Sequence, residues 1–143
     1  FGGDTGMVIA DTACRAISFA QLCDLLRFTE TNVGNWKDRA PLTYSKTSGQ
    51  QLSMLILNMY HLVDWVVKPA TRIRNCAWVE LVAQSLQAPI WFVSHWWGEC
   101  FRDFVLGISH HKSVHNLERI STYWVCSFAN RQTTNLDELK GNP

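Results

Sequence analysis

The chain has 143 residues, 47% of them hydrophobic and 17% charged, with a formal net charge of +1. That length makes one domain, or one domain with an extra arm, and is enough to bury a core of its own. A charge this close to neutral removes the electrostatic footprint expected of a nucleic-acid binder or of a protein held to an anionic membrane.

The charged fraction is low against the usual ~25%, and the seven tryptophans are many. Both features suggest surface covered by a partner. Cys14, Cys23, Cys76, Cys100 and Cys126 are odd in number and lack close metal-type spacing. They read as reduced, mostly buried thiols in a reducing compartment. No run is long and apolar enough to span a bilayer, since Leu52 to Val67 is interrupted by Asn58, His61 and Asp64. No signal peptide is visible. The chain starts at Phe1 rather than Met, which reads as a processed form, an engineered form or the ordered part of something longer, and it stops soon after a predicted strand, an odd place for an α/β domain to end.

Residues 1–10, with Gly2, Gly3 and Gly6, read as a loose arm. From Asp11 to Phe28 the pattern is helical, with Ala16, Phe19, Ala20, Cys23 and Leu26 on one stripe and Asp11 or Thr12 as cap. Residues 35–47 are polar, carry Pro41 and read as a linker. Ser48 to Gln51 fits a capping box for a long helix with Leu52, Leu55, Ile56, Met59, Val63 and Val66 inward. That helix is expected to end before Pro69. Another helix is predicted over Cys76 to Leu86.

Ile90 to Ser94 reads as a short buried strand. Phe101, Phe104, Val105 and Ile108 recur at helical spacing from Glu99, whose carboxylate suits a helix N-terminus. His110 to Ser121 reads as a polar loop, and Thr122 to Asn130 as a second buried strand. Strand, helix and strand make one right-handed parallel crossover.

A set of motifs recurs in order: Lys68-Pro69-Ala70-Thr71, Trp78-Val79-Glu80-Leu81, Phe92 to Glu99, Asp103-Phe104-Val105, and Tyr123-Trp124-Val125-Cys126 with Phe128-Ala129-Asn130 and Gln132. Over roughly residues 50 to 132 they resemble a large family of uncharacterised proteins from alveolate algae. In that family the phrase FVSHWWGE is followed by a strand like YWVCAFANNQ. The strand ending in Ser94-His95 is in turn similar to the first strand of Toll/interleukin-1 receptor (TIR) domains. That resemblance implies a flavodoxin-like parallel sheet flanked by helices, of which only the first two strands would be present. The catalytic glutamate of NAD-cleaving TIR domains lies on a later helix, and Glu99 does not occupy its position.

The expected class is therefore α/β, with N-terminal helices before a partial flavodoxin-like, TIR-like sheet. The organisation is an arm, helix and linker over 1–47, a helical segment plus TIR-like strand–helix–strand over 48–132, and a polar tail over 133–143. The expected function is a non-catalytic interaction module, a peripheral subunit of a larger assembly, with an organellar photosynthetic or respiratory membrane complex as one concrete version. An organelle, chloroplast or mitochondrion, is one compatible address. The alternative is a fragment of a TIR-like NAD-cleaving hydrolase or a nucleotide-sensing domain.

No catalytic or metal-ligating set is called for. Ser94, His95, Trp96, Trp97 and Glu99 would line a ligand pocket at the carboxyl edge of the sheet. In the blander version Ser94 and His95 tie down the loop while the tryptophans pack on helices. Trp36, Trp65, Trp96 and Trp97 are candidate interface anchors for other protein subunits. His111 and His115 would share a face on a helix and could then bind zinc, but a loop makes them a solvated cluster. His61 could ligate a pigment metal or be packed at an interface. Lys68, Arg72 and Arg74 could meet phosphate or simply cover a turn. Cys100, at a helix start, is a candidate for a lowered thiol pKa or a buried structural thiol. No cofactor follows from the residues, and neither a pigment nor a nucleotide is derivable.

Overall fold

The computed structural model describes residues 6–133. Most of the glycine arm's start and the tail with its expected turn at Leu136 to Lys140 lie outside the described residues.

Asp11 caps a single 3-10 turn, Thr12–Cys14, through a bond from the Ala13 N–H. The chain then extends as β1 (Ile17–Ser18) before α1 (Phe19–Asn32) begins. Ser18 starts that helix. Its Oγ accepts the Gln21 N–H at 3.1 Å, and Gln21 Oε1 accepts the Ser18 N–H at 2.9 Å. This capping box sets the register, so Phe19, Leu22, Leu25 and Thr29 face inward rather than the stripe expected from a helix starting at Asp11.

The long helix expected from Ser48 starts ten residues later. Residues 48–58 form turns, with Ser48 Oγ donating to the Ala40 carbonyl at 2.5 Å and Gln51 Nε2 to the carbonyls of Gly34 and Trp36. Asn58 caps α2 (Met59–Leu62), which continues through a π-helical segment, Val63–Val67, into α3 (Lys68–Thr71). The helix runs on through Pro69 by way of this wide π turn, in which the Lys68 N–H reaches back to the Val63 carbonyl.

A short α4 (Trp78–Val82) is followed by β2 (Trp91–Val93), α5 (Phe101–Val114), β3 (Thr122–Val125) and α6 (Cys126–Ala129). α5 buries Phe101, Phe104, Val105 and Ile108, and packs on α1. It extends to Val114, so the expected loop from His110 is helical for its first five residues. β3 stops at Val125. The helical turn after it places Ser127, Phe128 and Ala129 all inside, which an alternating strand could not do.

The flavodoxin-like, TIR-like parallel sheet is not what forms. β2 and β3 pair in parallel, Trp91 opposite Tyr123 and Val93 opposite Val125. The N-terminal segment adds β1 antiparallel to β3, Ile17 opposite Tyr123, so the sheet is mixed, three-stranded and open, in the order β1-β3-β2. β3 is the central strand. β2, expected to be a buried strand, is an edge strand, and Trp91 and Phe92 are exposed on it.

A buried ion pair ties the N-terminal segment to the rest. Arg15 Nη2 lies 3.6 Å from Glu80 Oε1, Arg15 Nε donates to the Ile9 carbonyl at 2.8 Å, and Nη1 to the Ala129 carbonyl at 3.3 Å. Glu80 in turn accepts the N–H groups of Ile9 and Ala77. This segment thereby joins both the sheet and the core. All five cysteines are free thiols.

Candidate functional site: an aromatic sheet edge

β2 positions the most conspicuous surface of the molecule. Strand alternation sends Trp91 and Phe92 to opposite faces. On one face, Trp91 meets His111 edge-on at 4.7 Å between ring centroids and lies 5.0 Å from His115. On the other, Phe92 stacks on Trp124 at 5.0 Å yet remains 72% exposed. Ile90 is also exposed. With Trp91 opposite Tyr123, and with the backbone groups of Ser121 and Tyr123 turned toward β1, it is Thr122 and Trp124 that face β2; the backbone groups of Trp91 and Val93 therefore point toward β3, and those of Phe92 point outward. Among the described residues no strand lies beside that outer edge.

The five residues expected to line a pocket follow β2 in the loop that leads to α5. Ser94 is exposed. His95 is half-buried, 4.9 Å from the Phe104 ring and stacked over Trp97 at 6.4 Å. Its Nε2 is buried and has no hydrogen-bond partner. Burial pushes its pKa below the usual imidazole value, against the pull of the Trp96 backbone and the Glu99 charge. Trp96 stands 75% exposed, with its indole folded over Gly98, where a Cβ would collide with the ring. Trp97 is half-buried and packs on Tyr60 at 5.2 Å, and its carbonyl accepts the Met59 N–H. The Glu99 N–H closes a turn onto the Trp96 carbonyl.

The four tryptophans named as anchors divide sharply. Trp36 is buried in the protein's own core at 7% exposure. Trp65 stacks on it at 5.9 Å, donates its indole N–H to the Lys37 carbonyl, and carries the Arg39 guanidinium 3.7 Å above its ring. Trp97 packs within the chain. Of the four, Trp96 alone projects outward. The exposed aromatics that sequence reasoning missed are Trp91 and Phe92. Both lie in an apolar run, and such a run reads the same in a central strand as at an edge.

A cavity of ≈360 Å³ lies elsewhere, lined by Asp38, Arg39, Ala40, Tyr60, His61, Asp64 and Trp65. At its back, the buried Asp38 accepts bonds from Ser45 (2.5 Å), Thr47 (2.7 Å) and the Ala40 N–H (2.9 Å), and sits 3.3 Å from His61 Nε2. Burial opposes ionisation, but these donors together hold the carboxyl at about 2. His61 Nδ1 accepts the Asn58 N–H at 3.1 Å, so its proton lies on Nε2, facing Asp38. With both ring nitrogens engaged, His61 has no lone pair left for a metal or a substrate. A second cavity, ≈440 Å³, has Arg74, Arg131 and Cys76 in its wall. Burial, and then the Glu80 charge, push the Cys76 thiol up despite both arginines. Neither cavity takes in Ser94, His95, Trp96, Trp97 or Glu99. Cys100 donates its thiol to the Met54 carbonyl at 3.1 Å, which suits the structural reading.

No protein-family model, curated protein or solved structure matches the chain. No helix of the described residues is long and apolar enough to cross a membrane. Neither the fold nor the comparisons support a TIR-like, photosynthetic or membrane-complex assignment. The mixed sheet removes the structural ground on which the TIR likeness stood.

Proposed function

We propose that the protein is a non-catalytic interaction module whose recognition element is the outer edge of β2, taking an extended apolar segment of a partner protein. The observation that carries this reading is the edge itself. It combines the outward backbone groups of Phe92 with exposed side chains of Ile90, Trp91, Phe92 and Trp96. Unpaired backbone groups ask for another strand, and exposed aromatics supply contact area on both faces of it. The hydrolase alternative has no specific observation in its favour, since it depended on the TIR-like sheet.

The experiment replaces Ile90, exposed beside that edge, by a photo-crosslinking phenylalanine analogue in cells. A single discrete adduct is expected, with the crosslink mapping to an extended apolar segment. Phe92→Pro, which removes an outward N–H and leaves the β3 pairing alone, should abolish it. Absence of any adduct, or an adduct indifferent to Phe92→Pro, overturns the reading.

A further inference from the structure

We infer that His111 and His115 form the protein half of a binding site for a late first-row divalent metal ion such as Zn²⁺ or Ni²⁺. The inference does not depend on the proposed partner. Four observations converge on it.

First, the segment is helical. α5 runs to Val114 with His115 as its C-cap, so the two residues sit one turn apart on the same face. Second, their rings already meet. The centroids are 4.3 Å apart, a separation at which two imidazoles can turn nitrogens toward one ion. Third, one ring is oriented from behind. His111 Nδ1 lies 3.2 Å from the phenol oxygen of Tyr123, a fully buried residue on the central strand. With the Nδ1 proton donated to that oxygen, Nε2 keeps its lone pair for a metal, the usual way an outer partner fixes a ligand's tautomer. Fourth, Trp91 packs against both rings and limits their motion before any ion arrives. The neighbouring cation, Lys112, is drawn aside over the Phe19 ring, 5.3 Å from its centroid.

Two neutral imidazoles are borderline ligands that favour Zn²⁺, Ni²⁺ and Cu²⁺ over Mg²⁺ or Ca²⁺. No cluster of three or more His, Cys, Asp or Glu side chains is set to hold a metal among the described residues. Water would therefore complete the coordination at the exposed side of His115. Such a site binds weakly compared with a closed structural zinc site and keeps positions open to exchange.

The test is calorimetric titration of the full chain with Ni²⁺ and with Zn²⁺, with Trp91 fluorescence followed in parallel. Saturable binding at one ion per chain is expected, with tryptophan emission quenched by Ni²⁺. His111→Gln and His115→Gln should each weaken binding at least ~10-fold. His110→Gln, one residue away and exposed, should leave it unchanged. Tyr123→Phe should weaken it by ~10-fold as an outer-partner loss, with circular dichroism confirming that the variant is folded. Trp91→Phe should abolish most of the quenching and keep the stoichiometry. No saturable binding below ~1 mM metal, or binding that survives both His111→Gln and His115→Gln, would overturn the inference.

Discussion

The Arg39 guanidinium donates through Nη2 to the backbone carbonyl of Asp64 at 3.2 Å. In the π register set by Lys68 reaching back to Val63, the Asp64 carbonyl is the one that the residue at position 69 would serve. That residue is Pro69, which has no N–H to give. A side chain from the preceding loop thus replaces a helix bond that the sequence deleted, and the same arginine lies over Trp65 and pairs with the Asp64 carboxylate at 3.0 Å.

Two substitutions separate these roles. The carboxylate pair is about half exposed, and such pairs contribute little. Asp64→Asn should therefore change stability by less than ~0.5 kcal/mol. Arg39→Ala removes the carbonyl's donor and the contact with Trp65 together, and should destabilise by about 1–2 kcal/mol. Urea unfolding of both variants checks the difference. Equal effects would mean that the carboxylate, not the carbonyl, is what matters.

Asp38 gives the protein an acid limit. Its carboxyl is held at about 2 against an ordinary 3.8. A depressed folded pKa contributes stability that is fully present above the ordinary value and is lost as pH falls through the folded one. The expected window is pH 4 down to about 2, and the contribution is about 2 kcal/mol. Asp38→Asn should lower stability at pH 7 and flatten the pH dependence across that window. Denaturant midpoints measured from pH 2 to 7 on both proteins decide it.

The contrast between what the residues announced and what formed follows from range. The α5 stripe from Phe101 to Ile108 was legible because it is local and periodic, and the runs at 90–94 and 122–130 were legible as apolar segments. Their layering was not, because neighbours decide it. Ile17–Ser18, two residues hidden in a helical-looking stretch, turns β3 into a central strand and leaves β2 outside. The Ser18-to-Gln21 capping box was readable, but the apolar pattern upstream masked it. The Asn58 cap was not, because His61 takes the place usually held by Glu or Gln. Asp38, Ser45, Thr47 and His61 converge only in three dimensions, so a polar linker was all the sequence offered.

The buried Arg15–Glu80 pair should be asymmetric. Removing Arg15 leaves a carboxylate that still accepts two backbone N–H groups, from Ile9 and Ala77. Removing Glu80 orphans both of those donors and leaves Arg15, only 6% exposed, with its two backbone carbonyls but no counter-charge. Glu80→Ala should destabilise by about 3–5 kcal/mol, and Arg15→Met by clearly less. A double-mutant cycle by thermal or urea unfolding measures the coupling. An Arg15→Met loss equal to or larger than that of Glu80→Ala would contradict this account of which partner depends on the other.

Gly98 is the position where a single carbon tests the loop after β2. The Trp96 indole occupies the space a Cβ would need, so any side chain at 98 must displace the ring. The ring is three-quarters exposed and at the end of a rotatable side chain, so displacement is cheap. Gly98→Ala should change stability by less than ~1 kcal/mol but alter the near-ultraviolet circular dichroism that reports Trp96. In a Trp96→Ala background the same substitution should be spectroscopically silent, because nothing remains to be displaced. If Gly98→Ala instead unfolds the protein, the glycine serves the backbone turn between Trp96 and Glu99 rather than the indole. In the proposed docking mode, Gly98→Ala should also weaken crosslinking from position 90, since it turns aside Trp96, one of the aromatic groups exposed near that edge.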